Sequence, residues 1–211
     1  KKAAGEFLVQ HPELQTGLVI SLHLGPYSLA PVPWLLAGID IHILINKRSL
    51  EKIQPIYDSL QQYLTLPGKI IWVAIEGPHF AIKIVRALKK KAPVFAFLDG
   101  NDGLGGSQET LHEGMGYQLP GRRIKVRTGL ARLATRCGSP VHSVVTRWPS
   151  TGPFTWERGP TWIMNPNIPA EESTKALYDW AFGIIKNNPA QWKCWNMLTG
   201  VYESFAAEEN Q

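Results

Sequence analysis

Residues 17–22 read GLVISL and end at His23. A short apolar run of this kind, bounded by turn formers, is the pattern of a strand buried on both faces. The pattern recurs downstream: IDIHILI at 39–45 with His42 inside it, KIIWVAI at 69–75, and PVFAFL at 93–98. Helical spacing separates these runs. Residues 49–64 place Leu50, Ile53, Ile56, Tyr57, Leu60 and Leu64 on one face, with Ser49 as a candidate cap. Residues 79–91 place Phe80, Ile84, Val85 and Leu88 together. Residues 26–37 are apolar too, but Pro31 and Pro33 argue against a regular helix there. Alternating strands and helices predict an α/β fold with a mixed, largely parallel central sheet flanked by helices. In the second half the spacing predicts a helix at 128–137 and a strand at 141–146. It then predicts a hairpin of 154–156 and 161–164 around Arg158 and Gly159. A helix at 171–186 stops at Asn187-Asn188-Pro189, and a last helix is expected over 190–205.

Parallel sheets present their working residues just beyond the strand C-termini. His23, the Asn46-Lys47-Arg48 run, Glu76 and Asp99 all fall at such points.

Composition narrows the class. The chain has 211 residues, 44% hydrophobic and 18% charged, which excludes disorder and suits one domain spanning 1–211. Two cysteines, Cys137 and Cys194, are too few for a disulfide framework and read as packing residues in helical patterns. The net charge of +5 is only partly concentrated, in Lys89-Lys90-Lys91 and in Arg122, Arg123, Lys125 and Arg127. A nucleic-acid partner is therefore not expected. No run approaches the roughly 18 apolar residues of a membrane span, and the N-terminus lacks a signal peptide's apolar stretch. The expectation is a soluble or peripheral protein. The first residue is Lys rather than Met, and an N-terminal region is expected to be missing.

Most catalytic signatures are absent. There is no Walker P-loop, dinucleotide fingerprint, zinc spacing or nucleophile elbow. Asp99, Asn101 and Asp102 resemble half a calcium loop, but the remaining spacing fails, so no metal is expected. His23 stands out. A lone histidine is more often structural, but this one follows a buried strand and precedes Leu24-Gly25-Pro26, a turn that opens the next element. Backbone N–H groups there, at Gly25 and beyond, are candidates to hold a developing oxyanion.

The segment 18–28, LVISLHLGPYS, resembles the first motif of the lysophospholipid acyltransferase superfamily, especially its lipid A acyltransferase branch. That motif is a His followed, after four residues, by Asp or Glu. Three further segments are similar to the branch in the same order. RALKKKAPVFAFLDGNDG at 86–103 resembles its basic helix, strand and D-x-x-x-G loop. GLARLATRCGSP at 129–140 resembles its helix before a strand. NPAQWKCW at 188–195 resembles its late Pro-x-Gln-Trp signature. Each is weak alone, and together they are specific for the superfamily but not for a substrate.

The resemblance implies a glycerolipid acyltransferase-like fold. It also implies transfer of an acyl group from a thioester to a hydroxyl or amine, with His23 as general base. The donor would be acyl-coenzyme A or an acidic acyl carrier protein, both carrying phosphopantetheine, with no further cofactor. The acceptor would be a lipid, sugar or peptide, and the location the cytoplasm or the cytoplasmic face of a membrane. One position departs from the motif: the acid is replaced by Ser28. Serine can orient an imidazole but cannot stabilise its charge. Three readings stay open. The acid comes from Asp99, Asp102 or Glu76; or an amine acceptor needs a weaker base; or the site is weak or dead. Lys47 and Arg48 are candidates for donor or acceptor phosphate, with Glu76, Asp102 and Gly25 as further substrate contacts. Tyr27, Trp34, Phe95 and Phe97 are candidate lining for an acyl groove. Two rival functions remain: a non-catalytic module that binds acyl chains or carrier proteins, and a biosynthetic domain acting on a carrier-bound peptide or polyketide.

Overall fold

A computed structural model describes residues 2–77, 79–100, 114–119 and 122–195. A six-stranded sheet forms its centre. The strands are β1 (Leu18–Ser21), β2 (Ile41–Ile45), β3 (Ile70–Ala74), β4 (Val94–Phe97), β7 (Pro140–Arg147) and β8 (Thr155–Ile163), in the order β3-β2-β4-β1-β7-β8. The pairs among β3, β2, β4, β1 and β7 are parallel, and β8 runs antiparallel to β7. This is the mixed, largely parallel sheet that the alternating runs predict. A separate antiparallel pair, β5 (Met115–Leu119) and β6 (Arg122–Val126), follows β4.

Helices cover both faces: α1 (Lys2–Gln10), α2 (Val32–Leu36), α3 (Lys47–Leu64), α4 (Phe80–Lys89), α5 (Gly129–Cys137) and α6 (Ala170–Asn187). The period of two along β1 divides the core. Leu18, Ile20 and Leu22 join the cluster under α4, α5 and α6, while Val19 joins Phe7, Leu8, Trp34 and Leu35 on the opposite face. Residues 26–37 form a 3-10 turn at Tyr27–Leu29 and then the short α2, as Pro31 and Pro33 require.

Several elements differ from the spacing. α3 starts at Lys47, because Asn46 caps it by accepting from the Ser49 N–H at 2.7 Å; Ser49 is a helical residue, not the cap. The expected hairpin at 154–164 is one strand, β8. Gly159 and Pro160 together oppose Ser143, between the pairs Val144–Arg158 and His142–Thr161. They form a bulge, not a turn. A Cβ on Gly159 would stand 2.9 Å from Trp180 Nε1, so this glycine serves close packing. The expected helix over 190–205 does not begin at 190, although Trp195 is helical. Pro189–Gln191 is a 3-10 turn, Trp192 is extended, and residues 196–205 lie outside the described residues. Helix α1 and the β5–β6 pair are additions to the expected elements.

Candidate active site

The chain leaves β1 toward β2, on the far side of β4, and leaves β4 toward β7, on the far side of β1. Each connection therefore crosses over the other strand, and because β1 and β4 are parallel their C-terminal ends lie together at one edge of the sheet, where parallel sheets place working residues. The register puts two residues there. Leu18 pairs with Val94 and Ser21 with Phe97, so two residues further on His23 comes opposite Asp99. Parallel partners project to the same face.

His23 Nδ1 lies 3.0 Å from Asp99 Oδ1. The backbone N–H of His23 also donates to both Asp99 oxygens, at 3.0 and 2.9 Å. Trp192 Nε1–H donates to Oδ2 at 2.6 Å. Asp99 is only 1% exposed, and a buried carboxylate is tolerable when its oxygens are this fully engaged. An ionised carboxylate only accepts, so toward it Nδ1–H is the donor, and the tautomer that puts the proton there leaves Nε2 as the acceptor. The ring is packed by Phe97 at 4.4 Å and, edge-on, by Tyr27 at 4.7 Å. The His23 side chain stays 20% exposed. A Cβ on Gly100 would stand 3.5 Å from His23 Cε1, so the glycine leaves space beside that edge.

The backbone behind the histidine is held by residues 191–193. Gly25 N–H donates to the Gln191 carbonyl at 3.0 Å, Lys193 N–H donates to the His23 carbonyl at 2.9 Å, and Leu24 bridges Trp192 in antiparallel fashion. The Gln191 side chain in turn accepts from Trp148 N–H and donates to its carbonyl, both at 2.8 Å. Gly25 has φ +55, and a Cβ there would meet the Thr146 carbonyl at 2.8 Å, so glycine is required.

These contacts correct several expectations. The group that holds the His23 ring is Asp99. Ser28 is exposed in the 3-10 turn, where its carbonyl accepts the Tyr57 hydroxyl. The Gly25 N–H is engaged by Gln191 and is not an oxyanion donor. Glu76 accepts the Lys47 N–H at 3.1 and 3.0 Å, at the N-terminus of α3. There its charge complements the helix dipole and not the histidine. Lys47 and Arg48 are exposed at the same sheet edge but follow β2, which β4 separates from β1. Asp102 lies outside the described residues. Trp34 and Phe95 are fully buried core rather than groove lining, while Tyr27 and Phe97 flank the histidine. Lys89 to Lys91 end α4 beside the start of β4, at the sheet edge opposite His23, because α4 runs back along the sheet. The second basic cluster is on β6, where Ile124 and Val126 are buried and Arg123 and Lys125 take the alternate face.

Cys194 is free, 2% exposed and outside any helix. It comes two residues after Trp192, past a bend at Lys193. Burial first, and the Asp99 carboxylate second, push its thiol up, so it is no thiolate nucleophile. Ligand atoms of His23, Asp99 and Cys194 lie within 4.8 Å of one another. The donor types would suit zinc. However, the carboxylate oxygens and Nδ1 already bond one another or Trp192, and the thiol keeps its proton, so the set fits a hydrogen-bonded network better than a metal.

Sequence reasoning missed the partnership of Trp192, Gln191 and Cys194 with the histidine loop. Pro189 was the available signal, since a proline after Asn188 ends α6, and the chain then turns through Pro189–Gln191 to bring Trp192 to the loop.

No protein-family model matches the chain, and neither does any curated protein. Among the described residues no helix is long and apolar enough to cross a membrane.

Proposed function

We propose that the protein is an acyltransferase that moves an acyl group from a coenzyme A or carrier-protein thioester to a hydroxyl or amine acceptor. The observation that carries the reading is the 3.0 Å contact between His23 Nδ1 and the buried Asp99, with the ring partly exposed. A carboxylate on Nδ1 fixes the tautomer that a general base needs and stabilises the imidazolium formed as Nε2 takes the acceptor's proton. The acceptor oxygen or nitrogen then attacks the thioester carbonyl. Collapse of the tetrahedral adduct expels the thiolate, which recovers the proton from the imidazolium. No covalent enzyme intermediate is needed. Asp99 supplies the acid that Ser28 cannot, which favours an active site over a dead one. Lys47 and Arg48, and the β6 face with Arg123 and Lys125, are the candidate contacts for the donor's phosphates or for an acidic carrier. The acceptor is a lipid, sugar or peptide, met in the cytoplasm or at the cytoplasmic face of a membrane.

One observation favours the rival, a module that binds thioesters without transfer. The Gly25 N–H, the nearest oxyanion donor expected from the turn, is already engaged. The deciding experiment is His23→Ala, assayed with radiolabelled acyl-coenzyme A and acyl carrier protein donors over hydroxyl and amine acceptors. Loss of a general base lowers the rate about 10²- to 10⁴-fold. A variant as fast as the wild type overturns the general-base reading. Thioester binding without transfer to any acceptor establishes the rival.

A further inference from the structure

The position of Trp192 is unusual for a core tryptophan. It is 3% exposed, yet its one polar atom faces a buried carboxylate at 2.6 Å instead of a backbone carbonyl. The two other indole bonds at the same end of the sheet, Trp156 to the Leu29 carbonyl and Trp195 to the Pro189 carbonyl, are neutral. The bond to Asp99 is short and charge-assisted, the stronger kind.

We propose that Trp192 is a positioning residue for His23: its indole N–H fixes the Asp99 carboxylate, which holds the imidazole in the Nδ1–H tautomer. The inference rests on His23 being the base of the proposed transfer reaction.

Three features support it. First, the two ends of the relay are registered by backbone. The Gly25–Gln191 and Lys193–His23 bonds and the Leu24–Trp192 bridge tie the segment carrying the indole to the loop carrying the imidazole. Second, the donors divide the carboxylate. Trp192 takes Oδ2 and the imidazole takes Oδ1, with the His23 N–H shared between them. Rotating the carboxylate to leave His23 would therefore strand the indole as well. Third, indole nitrogen can only donate. A glutamine or histidine at 192 could turn an acceptor toward Asp99, whereas tryptophan presents no arrangement that repels the carboxylate.

The test reads the tautomer directly. The imidazole nitrogens of His23 are observed by 15N NMR in the full chain labelled at histidine, with the signals assigned by their loss in His23→Ala. In the wild type at neutral pH, Nδ1 is the protonated nitrogen. In Trp192→Phe, which keeps an aromatic ring and removes only the donor edge, the Nε2–H form gains a comparable share. The turnover number is expected to fall about tenfold, the usual value of one hydrogen bond to a charged group, with KM within twofold. An unchanged tautomer in a folded Trp192→Phe overturns the inference. If that variant fails to fold, the wild-type indole proton decides: a downfield, exchange-protected Trp192 N–H that moves upfield in Asp99→Asn supports the relay, and one at the ordinary indole position overturns it. A tautomer that responds to Trp192→Phe in a protein that transfers no acyl group leaves the positioning role standing and removes the acyltransferase reading instead.

Discussion

His23 follows β1 and His142 lies in the neighbouring strand β7, and the two differ in almost everything that decides chemistry. His142 sits inside β7, paired with Val19 of β1 on one side and Thr161 of β8 on the other. It is 2% exposed, and its Nδ1 lies 3.0 Å from the Thr161 hydroxyl, a neutral partner. Burial holds its pKa below 6.5, only partly offset by the charge of Glu13 and a backbone bond at Thr16, while Arg158 lowers it further. His23 is four residues beyond Val19, past the end of β1, with a carboxylate on one nitrogen and a side chain that stays 20% exposed. Position along the strand makes the difference. Mid-strand, both flanking strands crowd the ring and leave it neutral and structural. Beyond the strand end, the parallel neighbour supplies an acid in register and the ring stays partly open to solvent.

The largest expected effect falls on the His23 side. Asp99→Asn keeps the shape but removes the charge and offers the ring an amide. By analogy with serine-protease triads, the rate of the proposed acyl transfer should fall about 10⁴-fold. A rate within tenfold of the wild type would mean that the acid does not distinguish the two histidines, and the comparison would fail. Next comes Gly25→Ala, which puts a side chain at φ +55 and a Cβ against the Thr146 carbonyl. A loss of about 2–4 kcal/mol in urea unfolding is expected, from left-handed strain plus backbone overlap. The loop carrying His23 should loosen while the β7–β8 ladder around His142 keeps its amide-exchange protection.

The smallest effect is a pH dependence on the His142 side. Its folded-state pKa lies below the 6.5 of an unfolded chain, because burial penalises the charged ring. Between the two values the unfolded chain holds the proton and the folded chain does not, so acid favours unfolding. Stability should therefore fall as pH drops below about 6.5. His42, lowered by burial against the opposing Pro93 and Asp40 interactions, adds to the same trend. His142→Gln should flatten the decline of Tm between pH 7.5 and 5.5. An equally steep decline in that variant would show that its burial has no such consequence.

The apolar runs at 17–22, 39–45, 69–75 and 93–98 make the central sheet readable; β1 and most of β4 are buried on both faces, while β2 and the edge strand β3 are only partly buried, with Ile71 40% exposed. Hairpins and edges are harder. Around Gly159-Pro160 the composition of a turn serves a bulge, since the constraint there is contact with Ser143 and Trp180 rather than chain reversal. The β5–β6 pair carries a usable signal, alternation across Pro120-Gly121, but its basic residues read more readily as solvated surface.

What the sequence by itself determined was a strand-end histidine, a strand-end aspartate and an α/β frame, because each depends on local pattern. Local pattern leaves open which group meets the histidine, among Ser28, Glu76, Asp99 and Asp102, and chain proximity favours Ser28. The tertiary structure decided for Asp99, 76 residues away, because the parallel β1–β4 register sets the two residues opposite each other. It also brought in Trp192, 93 residues from Asp99, through a backbone bridge that no local period encodes.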